Sequence, residues 1–304
     1  FSAAATFYEG KTTIKGRGNS TWNEAVSMGV KKPYKLKLAT KANLLGLGKV
    51  GNGKNKHWVL LANMIDHTNM RNEITYDFSR DMGLDCAMSS TGVVLILNGE
   101  YEGLYQLCEH VRIGNSRVNV YDWEELAEDV AQAICRANVL INRDELEESM
   151  VKDLSFITTG VVEFGGQSYN VKDYYKKSIP KITGGYLLGM DFRSPYDNNK
   201  YPSSFTSNNT IPMYIDTPEN AKSCKEMMEY ISGYINSFEN AIKSTDYLCD
   251  YEGREQHYSE LFDLESLVDY WFVCEITNNW DSMKNSTYMY FTYKPVINKR
   301  FKIK

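Results

Sequence analysis

From Pro33 to Leu38 the chain alternates large apolar side chains with lysine: Tyr34, Leu36 and Leu38 against Lys35 and Lys37. A period of two sends successive side chains to opposite faces of a strand, so this stretch predicts a half-buried strand with both lysines on one face. Thr12–Lys15 predicts a short strand before it, entering the turn-rich segment Gly16–Trp22. A Gly/Lys/Asn loop (46–56) then leads to the apolar run Trp58–Met64. Asn69 is an N-cap residue type ahead of a helix over about Met70–Met82. Met70, Ile74, Phe78 and Met82 are its expected buried stripe, and Gly83 supplies the stop. The clearest local pattern is Val93–Leu97, Asn98-Gly99, Tyr101–Leu107, a hairpin around a dipeptide that favours the tight turn.

From about residue 121 the pattern becomes helical, with short helices over Trp123–Cys135 and Asp144–Leu154. Gly184–Asp191 reads as a buried strand, and the polar stretch 194–209 as a mobile excursion. Thr217-Pro218-Glu219 has the chemistry of a helix start, with Met227, Ile231, Ile235, Phe238 and Ile242 marking a long amphipathic helix behind it. A further helix, N-capped by Asp263, is apolar on most sides from Leu264 to Ile276 and is expected to be central and buried. It ends at Asn278-Asn279-Trp280-Asp281, ahead of two short alternating segments, Tyr288–Tyr293 and Arg300–Ile303, of a kind that pairs.

The 304 residues suit one large or two modest domains and are enough to bury a core without disulfides or metals. A hydrophobic share of 42% with only seven Pro describes a folded chain. The net charge of −5 argues against a dedicated nucleic-acid binder, and no apolar run reaches the ~20 residues of a membrane helix. The six Cys form no CxxC pair and read as free thiols, and the four His form no HExxH. Gly48–Asn55 approaches P-loop spacing, but Asn55 replaces the magnesium-binding hydroxyl and no long amphipathic helix starts at Lys54, so it reads as a solvated loop. No G-x-S-x-G elbow is present, which removes the common nucleophilic hydrolases. The start at Phe1 points to a processed or trimmed product, and many Tyr, Asn and Ser to an extracellular or surface setting.

The order of elements carries more chemistry than any single motif. A strand bearing lysine, a helix with an early Glu, a hairpin, a connector into helices and a helix leading to Asp-x-x-x-Asn is the order of parts in a protein kinase. Such an enzyme needs Lys to neutralise nucleotide phosphates, Glu to position that Lys, Asp to orient the attacking hydroxyl and Asn to hold a metal. The expected fold is α+β and two-lobed, a divergent protein-kinase-like fold. Residues 1–111 form a β-rich N-lobe with one helix, and residues 112–304 a mainly helical C-lobe.

Several stretches resemble the spore coat protein H (CotH) kinase family of atypical protein kinases. They are Ile14–Trp22, Lys32–Leu38, Trp58–Asn63, Met70–Glu73, Leu97–Tyr105, Gly184–Asp191 and Asn279–Tyr290, in the family's order along nearly the whole chain. The resemblance implies a kinase that uses ATP and Mg to phosphorylate Ser or Thr of a protein substrate. It implies Lys35, or Lys37 on the same strand face, as the nucleotide-phosphate lysine, with Glu73 as its helix partner and Arg17 in the nucleotide-contacting set. Glu109 to Val111 would form the hinge that offers backbone groups to adenine. Asp281 would be the catalytic aspartate, with Asn285 or Ser286 as metal ligand. The family's Trp-Asp-Phe-Asp-like metal segment is expected beyond Phe301–Lys304, so the chain is expected to be truncated before it. Glu73 is expected within ion-pair reach of one of the two lysines, at least once nucleotide binds. Two other readings stand beside the enzyme: a non-catalytic binding module of the same fold, and an accessory component of an extracellular carbohydrate-degrading system.

Overall fold

A computed structural model describes residues 8–18, 20–46, 53–292 and the backbone of 301–303. The chain divides into two compact units, one running to Asn119 and including Asp269–Thr277, the other comprising Val120–Val268 and Asn278 onward. The mixed α+β expectation holds, with antiparallel sheets in both units. Among the described residues no helix is long and apolar enough to cross a membrane, and no disulfide joins any of the six Cys.

The first unit is built on β1 (Thr12–Gly16), α1 (Ser20–Met28), β2 (Tyr34–Ala42), β3 (Asn55–Leu61), α2 (Arg71–Asp81), β4 (Ser90–Leu97) and β5 (Glu100–Glu109). The strands form one five-stranded antiparallel sheet in the order β1-β2-β3-β5-β4. Leu38, Trp58, Leu60, Tyr105 and Leu107 are buried on one face, with Tyr34, Leu36, Val93 and Leu95 packed against them. The expected hairpin is present. Leu97 pairs with Glu100 across Asn98 (φ 54°) and Gly99 (φ 87°), both left-handed as a type I′ turn requires.

The helices depart from expectation in instructive ways. The first unit has a second complete helix, α1, inside what reads as turns and loop; its only buried residue is Ala25, so no apolar stripe announces it. In α2, Met70 and Ile74 of the expected stripe are exposed by 53% and 56%. Phe78 and Met82 of that stripe are half-buried, and the same side also carries Asn72, Glu73, Thr75, Tyr76 and Ser79, because the helix lies over a polar part of the sheet. There Asn72 Nδ2 donates to Asn63 Oδ1 (2.9 Å), Asn63 Nδ2 to Gln106 Oε1 (3.1 Å) and Gln106 Nε2 to Ser90 Oγ (2.8 Å). Asn69 is left-handed (φ 56°) and does not cap α2; the Arg71 N–H donates to Asp66 Oδ2 at 2.9 Å. Gly83 (φ 84°) ends the helix as expected.

The second unit contains α3 (Trp123–Ala137), α4 (Arg143–Lys152), α5 (Phe156–Thr159), the hairpin β6 (Val161–Phe164) and β7 (Gln167–Asn170), and α6 (Val171–Tyr174). These are followed by β8 (Tyr186–Asp191), β9 (Ser204–Thr206), β10 (Pro212–Thr217), α7 (Lys225–Lys243), the hairpin β11 (Leu248–Tyr251) and β12 (Arg254–His257), and α8 (Tyr258–Leu261). Last in the chain come α9 (Leu264–Ile276), whose residues from Asp269 on belong to the first unit, and then β13 (Asn285–Phe291) and β14 (Phe301–Ile303). Among these helices stands a second five-stranded sheet, β14-β13-β8-β10-β9. Its strand β9 lies in the polar stretch 194–209 that reads as a mobile excursion. The stretch 194–209 is tied down: Ser194 and Ser203 are fully buried, and Ser203 Oγ donates to the Glu219 carbonyl at 2.6 Å. Thr217 still belongs to β10, paired with Leu187, so the long helix starts at Lys225 and not at Pro218. Asp263 caps α9 by accepting from the Ser266 N–H. That helix buries only Tyr270, Val273 and Cys274, while Trp271 is 52% and Ile276 58% exposed, so one narrow stripe seats it.

Glu109 and Arg117 form a buried pair, 2% and 5% exposed, with Nη1 to Oε1 at 2.5 Å. The guanidinium lies 4.8 Å from the Trp58 ring centroid, and the Ser89 N–H donates to Glu109 Oε2 at 2.9 Å. The pair draws the connector 112–119 back onto the first sheet, which is why this unit runs past residue 111. Removing one partner leaves an uncompensated buried charge, so Arg117→Met is expected to lower stability by about 3–5 kcal/mol. The double variant Glu109→Leu/Arg117→Met is expected to recover most of that loss. Urea unfolding of the three proteins checks both statements.

Candidate functional site

Cross-strand partners point to the same face of a sheet, and in the first unit this assembles a cationic surface opposite the core. Lys15 pairs with Lys35, which pairs in turn with Val59; Thr13 pairs with Lys37, and Lys37 with His57. Val59 continues the row to Cys108 of β5, two residues before His110. Lys15, Lys35, Lys37, His57, His110 and Arg112 line a hollow of about 320 Å³, together with Thr13 and parts of Leu36 and Trp58. No lining residue is acidic. Two lysines directly opposite each other destabilise a sheet. Such an arrangement has the chemistry of an anion site, and its size suits a phosphate-bearing small molecule.

The two histidines report the field in the hollow. Burial, then Arg112, Lys37, Lys35 and Lys56, pull the His57 imidazole down to about 4. Burial, then Arg112, Arg17, His57 and Lys35, pull His110 down to about 3. Both rings are therefore neutral at neutral pH, with centroids 6.4 Å apart. His110 Nδ1 is buried and has no hydrogen-bond partner among the described residues. The sequence singles out Lys35 and Lys37 but not Lys15, His57, His110 or Arg112. The lysine of β1 is visible beside Ile14; the histidines carry no motif of their own.

The remaining candidate residues of this unit divide. Glu73 lies in the first turn of α2 and makes no ion pair with Lys35 or Lys37 among the described residues. Burial raises the Cys108 thiol to about 12, with Arg17 opposing that rise and Glu73 adding to it. Glu73 and Arg17 thus share the neighbourhood of Cys108. The Arg17 N–H donates to the Pro33 carbonyl. The Glu109 carboxylate faces the core side, in the pair with Arg117, and its N–H donates to the Ser89 carbonyl. Val111 is half-buried. Of the Gly-rich stretch Gly48–Asn55, residues 48–52 lie outside the described residues, and Asn55 opens a strand with no helix at Lys54.

In the second unit, Asp281 and Asn285 come together. Asn285 Nδ2 donates to Asp281 Oδ1 at 3.2 Å, and its N–H to the Asp281 carbonyl at 2.9 Å. The fully buried Thr287 holds the turn through Oγ1, which accepts from the Met283 N–H at 2.9 Å. Asn285 pairs with Asp191 and Thr287 with Met190, so Ser286 is the extra residue of a bulge, left-handed (φ 51°) and exposed. Asp191, which no sequence motif singles out, is 6% exposed and accepts from Arg193 Nε (2.8 Å), Arg193 Nη2 (2.5 Å) and the Tyr201 hydroxyl (2.6 Å). Burial alone would raise its carboxyl, but those bonds outweigh burial and hold it below its ordinary value. Asp281 is among the negative groups that raise Arg193, after Asp191 and Tyr201. Among the described residues no cluster of three or more His, Cys, Asp and Glu could hold a metal by itself. Asp281 and Asn285 offer a carboxylate and an amide oxygen, which fits magnesium held by few protein groups plus substrate phosphates.

The sequence model of the family described as CotH kinase protein matches residues 14–303. The chain belongs to the CotH kinase family. A comparison with curated proteins finds no match. The cations and histidines of the hollow and the Asp281–Asn285 turn lie inside the span that matches the CotH family.

The histidines make acid stability testable. In the unfolded chain an imidazole titrates near ~6.5, whereas in the fold the two titrate at about 4 and about 3. Above ~6.5 both states are neutral; as pH falls below it, the unfolded chain binds protons that the fold refuses, and stability is lost. Replacing both, His57→Gln/His110→Gln, is expected to flatten part of the fall in urea midpoint between about pH 7 and about pH 4, relative to wild type.

Proposed function

We propose that this CotH-family chain is an ATP-dependent phosphotransferase that modifies Ser or Thr hydroxyls of a protein substrate. The observation that carries the reading is the hollow, where Lys15, Lys35, Lys37 and Arg112 converge without a carboxylate. These cations neutralise the phosphates of a nucleotide, with Lys35 and Lys37 on the strand face that a kinase lysine would occupy. In the second unit, Asn285 holds one oxygen of Asp281 and leaves the other to orient an acceptor hydroxyl and take its proton. Magnesium, when bound, supplies the charge that neutralises the transferring phosphoryl group, with Asp281 and Asn285 as the protein groups able to hold it. Ser286 is the weaker ligand candidate, because its bulge separates it from the Asp281–Asn285 contact.

Transfer from γ-labelled ATP to an added test protein, alongside calorimetric titration with ADP, separates the roles. Asp281→Asn is expected to cut transfer by about 10²–10⁴-fold and leave ADP affinity within a factor of about two. Lys35→Ala/Lys37→Ala is expected to weaken ADP by about 10–100-fold, the loss of one charge-assisted hydrogen bond. ADP binding without transfer by any preparation would favour the non-catalytic module.

A further inference from the structure

His57 and His110 are an odd choice for the floor of a hollow already crowded with cations. The charged groups that act on them are Lys15 on β1, Lys35 and Lys37 on β2, Lys56 on β3, and Arg17 and Arg112 from the loops, with Glu73 of α2 beyond them beside Cys108. Among the described residues that line the hollow none is acidic, and the neighbouring Glu109 carboxylate is engaged by Arg117 on the opposite face. Without a ligand, this field and burial keep both rings neutral, and His110 Nδ1 remains a buried polar atom with no partner among the described residues. A polar atom in that position costs free energy unless something bonds to it.

An anion changes the sign of the local field. With negative charge seated among Lys35, Lys37 and Arg112, an added proton on either imidazole becomes an attractive partner and gains a donor for a phosphate oxygen. We propose that phosphate groups enter this hollow together with a proton from solvent, held by the His57–His110 pair, so that His57, His110 and Arg112 are ligand-binding residues. The identity of the ligand as a nucleotide rests on the function proposed above; the coupling of proton and phosphate does not. Binding then tightens as the medium becomes more acidic, in the range where the free protein leaves both rings uncharged.

The four His of the chain make this directly observable, because each imidazole gives its own proton NMR signal. His57→Gln and His110→Gln assign two signals, and the remaining His67 and His257 serve as internal references. Titrations from about pH 2.5 to about pH 8, which bracket both free-protein midpoints, are recorded for the free protein, with saturating ADP, and with cyclic trimetaphosphate, which keeps its charge over that range. With ligand bound, the midpoints of His57 and His110 are expected to rise by about one pH unit or more, a tenfold change in proton affinity, while His67 and His257 stay in place. Bound ADP with unchanged His57 and His110 midpoints overturns the inference and leaves the nucleotide reading standing. Trimetaphosphate that binds and raises both midpoints where ADP does not bind upholds the proton coupling and removes the nucleotide. Should neither bind at any pH, both fall. If a His→Gln variant fails to fold, the wild-type signals are assigned through Lys37→Ala, which is expected to perturb His57, its direct cross-strand partner, more than the two reference histidines.

Discussion

The two-residue period of the first sheet is the constraint on which the rest of that unit depends. Its inward positions carry Leu36, Leu38, Trp58, Leu60 and Leu107, and its outward positions Lys15, Lys35, Lys37 and His57. A slip of one residue in β2 would bring lysine opposite Trp58 and put leucine in the hollow. Register is therefore as much a requirement of the site as of the core. The Asn98-Gly99 turn sets it for β4 and β5, and the Glu109–Arg117 pair fastens the far end of β5 against Trp58. Repulsion between facing lysines is tolerated because the core on the other side holds the strands in place.

A different device organises the second unit. Asp191 and Asn285 are opposite one another in the β8–β13 ladder, yet their side chains serve different partners. Asp191 is saturated by Arg193 and Tyr201, whereas Asp281 receives a single amide donor at 3.2 Å from Asn285. A carboxylate with three strong donors is fixed and weakly basic; one held by a neutral amide keeps an oxygen for chemistry. The bulge at Ser286 makes this division by turning that residue away and bringing Asn285 to the turn.

How much of this is legible in the sequence depends on the range of the interaction. The β4–β5 hairpin and the Lys35/Lys37 strand are local patterns, and both stand where the alternation puts them. The hollow is assembled from β1, β2, β3 and the segment after β5, so its composition exists only once the sheet is paired. The stripe of α2 misleads for a related reason: apolar spacing of four points to Met70 and Ile74, but the helix meets a polar face and is held by the Asn72–Asn63–Gln106 amides. Asp191 closes the family-like stretch Gly184–Asp191, but its role is silent because an Asp at the end of an apolar strand looks like a strand terminus, and its partner Tyr201 lies in the stretch 194–209 that reads as a mobile excursion. The Asp281–Asn285 contact is legible as a spacing, but the choice between Asn285 and Ser286 needs the bulge.

One border of the first sheet has a consequence for the protein as a material. β4 is a terminal strand of that sheet, eight residues long (STGVVLIL) with no charge and no proline, and its Val94 and Ile96 are 59% and 64% exposed. Edge strands are usually guarded by lysine, proline or a bulge of their own. Here the extra residue of the irregularity is Glu102, on the inner neighbour β5, and it leaves the outer row of β4 backbone groups regular. This short border is accordingly the place on the first sheet where a strand of a separate molecule can zip on, backbone to backbone.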